Sequence, residues 1–302
     1  MKAATSSAVS PQVVALAILL GLLMGCERSS KEPWERTPLA RDQIETVSLG
    51  MQSGLAIDRV RFFSVEMNEP RFFLALVPQA AKPPQDVFIL NHGWSDRPEV
   101  LLRELKVDRV YSALLTRNAV RPAIIVIPDV RFDNFFREYS DRFPFPNYLT
   151  LVAEEIAGVV SRKYGISFAR DHWGMGGFSF GGMISLDVGR RYSGRFGSIS
   201  VVSGIWDDGW SFWPTQPPAA GRLDDKGRGK QTLVVPGPPP RIFLACGKDD
   251  RFYSRMLALH ETFTRLGIAH QWSTGPGGHT WKYWSEVLEP MLKFQLGVTS
   301  RE

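Results

Sequence analysis

Cysteine is almost absent from this chain of 302 residues: only Cys26 and Cys246 occur. A disulfide-stapled scaffold is therefore excluded, and no cysteine and histidine cluster has the spacing of a zinc site. Nor is there a run of like charge. The 36 Lys and Arg residues are interleaved with 31 Asp and Glu, for a net charge of +5. That balance describes a mildly basic solvated surface and not a nucleic-acid footprint. No apolar run reaches the roughly 20 residues that span a bilayer, and no internal repeat is visible. What remains is ordinary globular composition, 44% hydrophobic and 22% charged. Once the N-terminus is set aside, about 250 residues are left, enough for one large domain with a sizeable core.

The N-terminus differs from everything after it. Lys2 precedes a small polar stretch and then "VVALAILLGLLMG", which suits the apolar region of an export signal. The run ends at Cys26, and "LLMGC" resembles a bacterial lipobox, with Leu23 at −3 and Gly25 at −1; Met24 at −2 departs from the usual small residue. The expectation is a lipoprotein-type signal over residues 1–25, lipidation of Cys26, and a membrane-anchored protein facing the periplasm or exterior. The polar stretch from 26 to 53, which includes "ERSSKEPWERTPLARDQ", reads as a tether. Cys246, in "RIFLACG", then has no partner and reads as a small buried core residue.

From residue 54 to 296, short apolar runs rich in β-branched and aromatic residues alternate with helix-like segments. The strands expected are "LAIDRVRFFSV", "RFFLALVP", "DVFILNHG", "AIIVIPDV", "HWGMGGFS", "GSISVVSG", "RIFLACG" and "AHQWSTG". Helices are expected near 99–117, 147–164, 181–192, 252–267 and 281–295. Only the turn "EMNEP" separates the first two strands, which suits an antiparallel pair. Thereafter strand and helix alternate, and runs such as "AIIVIP" imply strands buried on both faces. The fold class is α/β: a mostly parallel central sheet of about eight strands, helices on both faces, and ligand sites at the strands' carboxyl ends. Residues 205–240 break the rhythm as a lid-like insertion in which Trp206, Trp210 and Trp213 could wall an acyl or aromatic pocket. Residues 297–302 read as a tail.

Ser179 lies in "GGFSFGG", between a strand and a helix, which is the context of a nucleophile elbow. The turn demands small residues on either side of the nucleophile, and Gly177 and Gly181 supply them. A serine hydroxyl is a poor nucleophile at neutral pH and needs an adjacent base. In chain order an acid and then a histidine should follow the serine. Of five histidines, His92 and His172 precede Ser179; His260 falls in a helical pattern and His270 in a strand pattern. His279, in the glycine-rich loop "GPGGHTWKYW", remains as the base. The acid should follow the strand "RIFLACG", where "GKDD" offers Asp249 and Asp250, and spacing alone does not choose between them. The backbone N–H of Phe180 and that of Trp94, in the tight turn "NHGW", are expected to hold an oxyanion, with His92 shaping the turn.

These motifs together resemble the putative esterase (esterase D-like) family of α/β hydrolases over roughly residues 55–295. The marks are "LNHGW", "GGFSFGG" followed by "RFGSISVVSG", "CGKDD" and "GGHTWKYW". The family elbow commonly reads G-x-S-M-G-G, so Phe180 stands here in place of methionine. The family acid stands three residues after the strand-end glycine, and counting from Gly247 the resemblance selects Asp250. A histidine followed two residues later by tryptophan matches His279 and Trp281. The resemblance implies an α/β-hydrolase fold and a serine carboxylic ester hydrolase without cofactor or metal. Its substrates would be small-molecule or polysaccharide-borne esters, with no role for nucleic acid. A mycolyltransferase-type acyltransferase and a non-catalytic binding protein on the same fold are the alternatives.

Overall fold

The runs "DVFILN" and "AIIVIP" have no polar face, so each must be covered on both sides. In the computed structural model, which describes residues 32–79, 83–94, 96–129, 131, 146–204 and 237–297, they form β4 (Asp86–Asn91) and β5 (Ala123–Pro128), buried along their whole length. Seven further strands complete one sheet: β1 (Ile44–Gln52), β2 (Leu55–Ser64), β3 (Glu69–Pro78), β6 (Trp173–Phe178), β7 (Ser198–Val202), β8 (Arg241–Gly247) and β9 (Gln271–Gly275). Their order is β1-β2-β3-β5-β4-β6-β7-β8-β9. The first three strands and the β3–β5 pair are antiparallel, and every pair from β5 to β9 is parallel.

All eight expected strands are present, and β2 and β3 form the expected antiparallel pair. The ninth, β1, lies inside the stretch read as a tether. It pairs with β2 at the sheet edge, and Val47 and Met51 stand 54% and 58% exposed. Val47, Leu49 and Met51 do alternate with Ser48, Gly50 and Gln52, a strand signal that the tether reading passed over because the stretch around it is polar. The folded domain therefore begins before residue 54. A short 3₁₀ turn, Pro33–Arg36, lies ahead of it; the Trp34 ring meets Phe72 edge-on and lies under the Arg59 guanidinium, 4.2 Å away.

Helices cover both faces. On one face lie α1 (Pro98–Arg103), α2 (Val107–Thr116) and α7 (Trp281–Leu296), packed over residues such as Leu74, Phe88, Ile125 and Ile127. On the other, α3 (Pro146–Thr150) passes through a π turn, Leu151–Ile156, into α4 (Ala157–Tyr164), beside α5 (Phe180–Arg191). A separate apolar cluster joins α6 (Tyr253–Arg265) to β7 and β8 and contains Cys246, fully buried as expected. Each aliphatic side chain buried this way contributes on the order of 2 kcal/mol. The parallel strands β4, β6 and β8 all end at one edge of the sheet, and the loops leaving them carry the residues singled out in the sequence.

Candidate active site

Ser179 occupies the turn between β6 and α5 with φ 54° and ψ −118°, a backbone conformation costly for any residue with a side chain. Two constraints hold it there. Its N–H donates to the Val202 carbonyl at 2.8 Å, and the helix begins at the next residue. The flanking glycines permit the close approach. A Cβ on Gly177 would stand 2.5 Å from the Gly181 carbonyl oxygen and 2.7 Å from that of Asn91, while one on Gly181 would meet the carbonyls of Asn91 and His92. From beneath, the Asn91 amide donates to the Gly176 carbonyl and to Ser185 Oγ, which donates in turn to the Gly181 carbonyl at 2.7 Å.

His279 reaches this serine from the loop between β9 and α7: Ser179 Oγ lies 2.9 Å from His279 Nε2. On the far side of the ring, Nδ1 lies 3.1 and 3.0 Å from the two carboxylate oxygens of Asp250. An ionised carboxylate can only accept, so Nδ1 carries the proton and Nε2 presents its lone pair to the serine. Burial alone would raise the Asp250 pKa. The His279 hydrogen bond and charge, the Phe252 N–H and the Ser203 hydroxyl outweigh burial and hold the carboxyl below its ordinary value. The imidazole side chain is only 6% exposed, with Phe252 and Trp284 each edge-on to it at 5.0 and 4.9 Å. Trp281, the tryptophan singled out by the resemblance, packs on Trp284 and not on the histidine.

Of the two aspartates in the "GKDD" loop, Asp250 meets His279. Asp249 faces elsewhere. Its carboxylate accepts from the Gly277 N–H at 3.0 Å, and its own N–H donates to the Gly277 carbonyl. It ties the loop after β8 to the loop that carries the histidine. His260 and His270 pair with each other at 2.7 Å, away from the serine, and His172 pairs with Asp86.

The "NHGW" turn lies against the elbow. A Cβ on Gly93 would be 3.7 Å from Ser179 Cβ, and the Trp94 ring meets Phe180 edge-on at 5.2 Å. The residues expected to supply the two oxyanion donors are therefore neighbours. The Phe180 ring is itself part of the core. His92 is fully buried and its Nδ1–H donates to the Gly93 carbonyl at 2.7 Å. Burial pulls its pKa down to about 4, so at neutral pH it is an uncharged piece of the turn. Behind it lies a buried ionic network at the end of β5, in which Arg131 bridges Asp129 and Glu35 at 2.8 Å each and Glu35 also pairs with Arg97. The N-terminal 3₁₀ turn is thereby tied to the loop that follows the "NHGW" turn.

Two neighbours of Asp250 and His279 escaped sequence reasoning, Ser203 and Trp284. Ser203, at the end of β7 with φ 50° and no exposure, accepts from Trp284 Nε1 at 3.1 Å and donates to Asp250. Nothing in the serine of "VVSG" distinguishes it from any strand-end serine. Cys246 lies beside the same pair, its thiol pushed up to about 12 by burial and by the Asp250 charge, hence unreactive. Cys26, Trp206, Trp210 and Trp213 lie outside the described residues. Among the described residues, no group of three or more His, Cys, Asp or Glu could hold a metal ion.

A mostly parallel sheet in this order, with a serine on a strained strand-to-helix turn, defines the α/β-hydrolase class. The sequence pattern of the putative esterase family matches residues 64–295; the chain belongs to that family and is a carboxylic ester hydrolase. It is similar to an acetyl esterase from Caldicellulosiruptor saccharolyticus, 22% identical over 265 residues that cover 78% of this chain and 96% of that one. Among solved structures, a ferulic acid esterase superposes with a TM-score of 0.63 at 21% identity, covering 84% of this chain and 98% of the other. The feruloyl esterase module from Clostridium thermocellum, solved with sinapinate, gives a TM-score of 0.62 at 16% identity, with 86% and 96% covered.

Proposed function

We propose that this esterase works by nucleophilic acyl transfer, with Ser179 as nucleophile, His279 as general base and acid, and Asp250 as the group that orients and charge-stabilises the imidazole. The observation that carries this reading is the continuous chain from Ser179 Oγ through the ring of His279 to Asp250. Ser179 Oγ bonds to the ester carbonyl carbon while its proton passes to His279 Nε2. The backbone amides of Phe180 and Trp94 receive the tetrahedral oxyanion, assisted by the positive end of α5. Collapse breaks the bond to the alcohol oxygen, which takes the proton from His279. Water, activated by the same histidine, then releases the acid and restores the serine.

The names of the similar proteins make acetyl and feruloyl esters the first substrates to try. Cys26 is proposed as a lipidated residue that anchors the enzyme to the bacterial cell envelope. The test of the chemistry is p-nitrophenyl acetate hydrolysis by Ser179→Ala, with the fold checked by near-UV circular dichroism. We expect kcat to fall by about 10⁴-fold or more. A folded variant keeping a tenth of the activity would refute the role of Ser179.

A further inference from the structure

Asp96 lies on the same turn as Trp94, two residues further on, and takes no part in the triad. Its position is fixed relative to the nucleophile through Gly93. A Cβ built on that glycine would be 3.1 Å from Asp96 Oδ2 and 3.7 Å from Ser179 Cβ. Asp96 Oδ2 and Ser179 Cβ thus both lie close to the point where a side chain on residue 93 would begin, and the glycine lets the carboxylate come this near the serine. The carboxylate is half-buried and makes no hydrogen bond or ion pair with the described residues. Its surroundings already show the cost: burial pushes its pKa up to about 6, with Arg103 pulling the other way and Glu104 adding to the rise. At neutral pH it is an ionised, poorly solvated acceptor beside the glycine that adjoins Ser179. Such a group is expensive to leave unmatched, and a donor brought by a ligand would relieve it. The arrangement contrasts with Asp249, Asp129 and Asp250, each of which has its donors in hand.

We propose that Asp96 is a substrate-recognition residue, whose carboxylate accepts a hydrogen bond from a hydroxyl group carried by the ester close to its scissile bond. The favoured substrates are then esters of polyols or of hydroxy acids. This assignment rests on the esterase chemistry proposed for Ser179 and deepens it. The carboxylate does not touch the proton path from Ser179 to Asp250, so its contribution is selectivity. A purely apolar ester bound beside Ser179 would strip water from Asp96 and return nothing, which disfavours it.

The experiment compares matched ester pairs. 2-Hydroxyethyl acetate against propyl acetate places the hydroxyl on the alcohol, and ethyl lactate against ethyl 2-methylpropanoate places it on the acyl group. The readout is the ratio of kcat/KM within each pair, in wild type, Asp96→Asn and Asp96→Ala, with the full chain in each case. We expect Asp96→Ala to lower the hydroxyl preference in one of the pairs on the order of tenfold, the strength of a hydrogen bond to a charged acceptor. Asp96→Asn, which keeps an acceptor oxygen without the charge, should fall between. The pair that responds identifies which side of the ester carries the hydroxyl. Unchanged preferences in both pairs, with normal p-nitrophenyl acetate turnover, would overturn this assignment alone. A wild type inert to every ester would overturn the esterase chemistry and this assignment with it. Thermal melting provides the control: removing an unmatched half-buried carboxylate should not lower the melting temperature.

Discussion

Two adjacent aspartates show how little separates the catalytic role proposed for one from the scaffolding role of the other at the scale of the residue. Asp250 turns inward to His279, while Asp249 holds the Gly277 amide. Asp250→Asn should lower kcat for p-nitrophenyl acetate by about 10⁴-fold, because the amide can no longer enforce the histidine tautomer. Asp249→Asn keeps an oxygen able to accept from Gly277, so its cost should stay within about tenfold. Steady-state kinetics on both variants decides it, and equal losses would contradict the assignment. Ser179 and His279 were legible in the sequence because chain order and the five-histidine inventory left few choices. Between the aspartates the residues alone were neutral, and the family spacing made the choice. Ser203 and Trp284 were not legible, since their contact with the site depends on how β7 and α7 meet in space.

The strand–turn–helix element from β6 to α5 was the most readable part of the chain, because its glycines answer a steric demand that few local structures make. The structure gives that demand particular atoms. A methyl on Gly181 would press against the carbonyls of Asn91 and His92, with the latter 2.5 Å away, and these are backbone groups at the end of a central strand that cannot retreat. Gly181→Ala should therefore destabilise the protein by at least about 2 kcal/mol and lower activity with it, read by urea unfolding and by ester turnover. A variant as stable as wild type would show that the turn can open, and that its tightness is not required. The π turn at Leu151–Ile156 was hidden inside a helix-like pattern. It carries Glu155, whose carboxylate accepts from the Val65 and Glu66 amides of the β2–β3 turn, a contact between distant segments that local periodicity does not encode.

Across the whole molecule, the parallel half of the sheet was legible because strands buried on both faces are written as unbroken apolar runs. The N-terminal edge was not. β1 is mostly solvent-facing, and Glu35 sits in a polar stretch that composition alone assigns to a tether. Yet Glu35 is buried and shared by Arg97 and Arg131. A chain starting at residue 54 would leave both guanidiniums short of a partner, so it should be less stable than one starting at residue 32 by about 3 kcal/mol or more. Equal melting temperatures would mean that the N-terminal segment is only laid on the surface. In the proposed mechanism, catalysis by the whole molecule depends on Ser179 being activated by His279, and a fluorophosphonate probe tests that dependence most directly. Mass spectrometry after labelling should find one equivalent of probe, on the peptide containing Ser179, and His279→Ala should abolish the adduct. A folded wild-type protein that stays unlabelled, or that carries the probe on another residue, would contradict it.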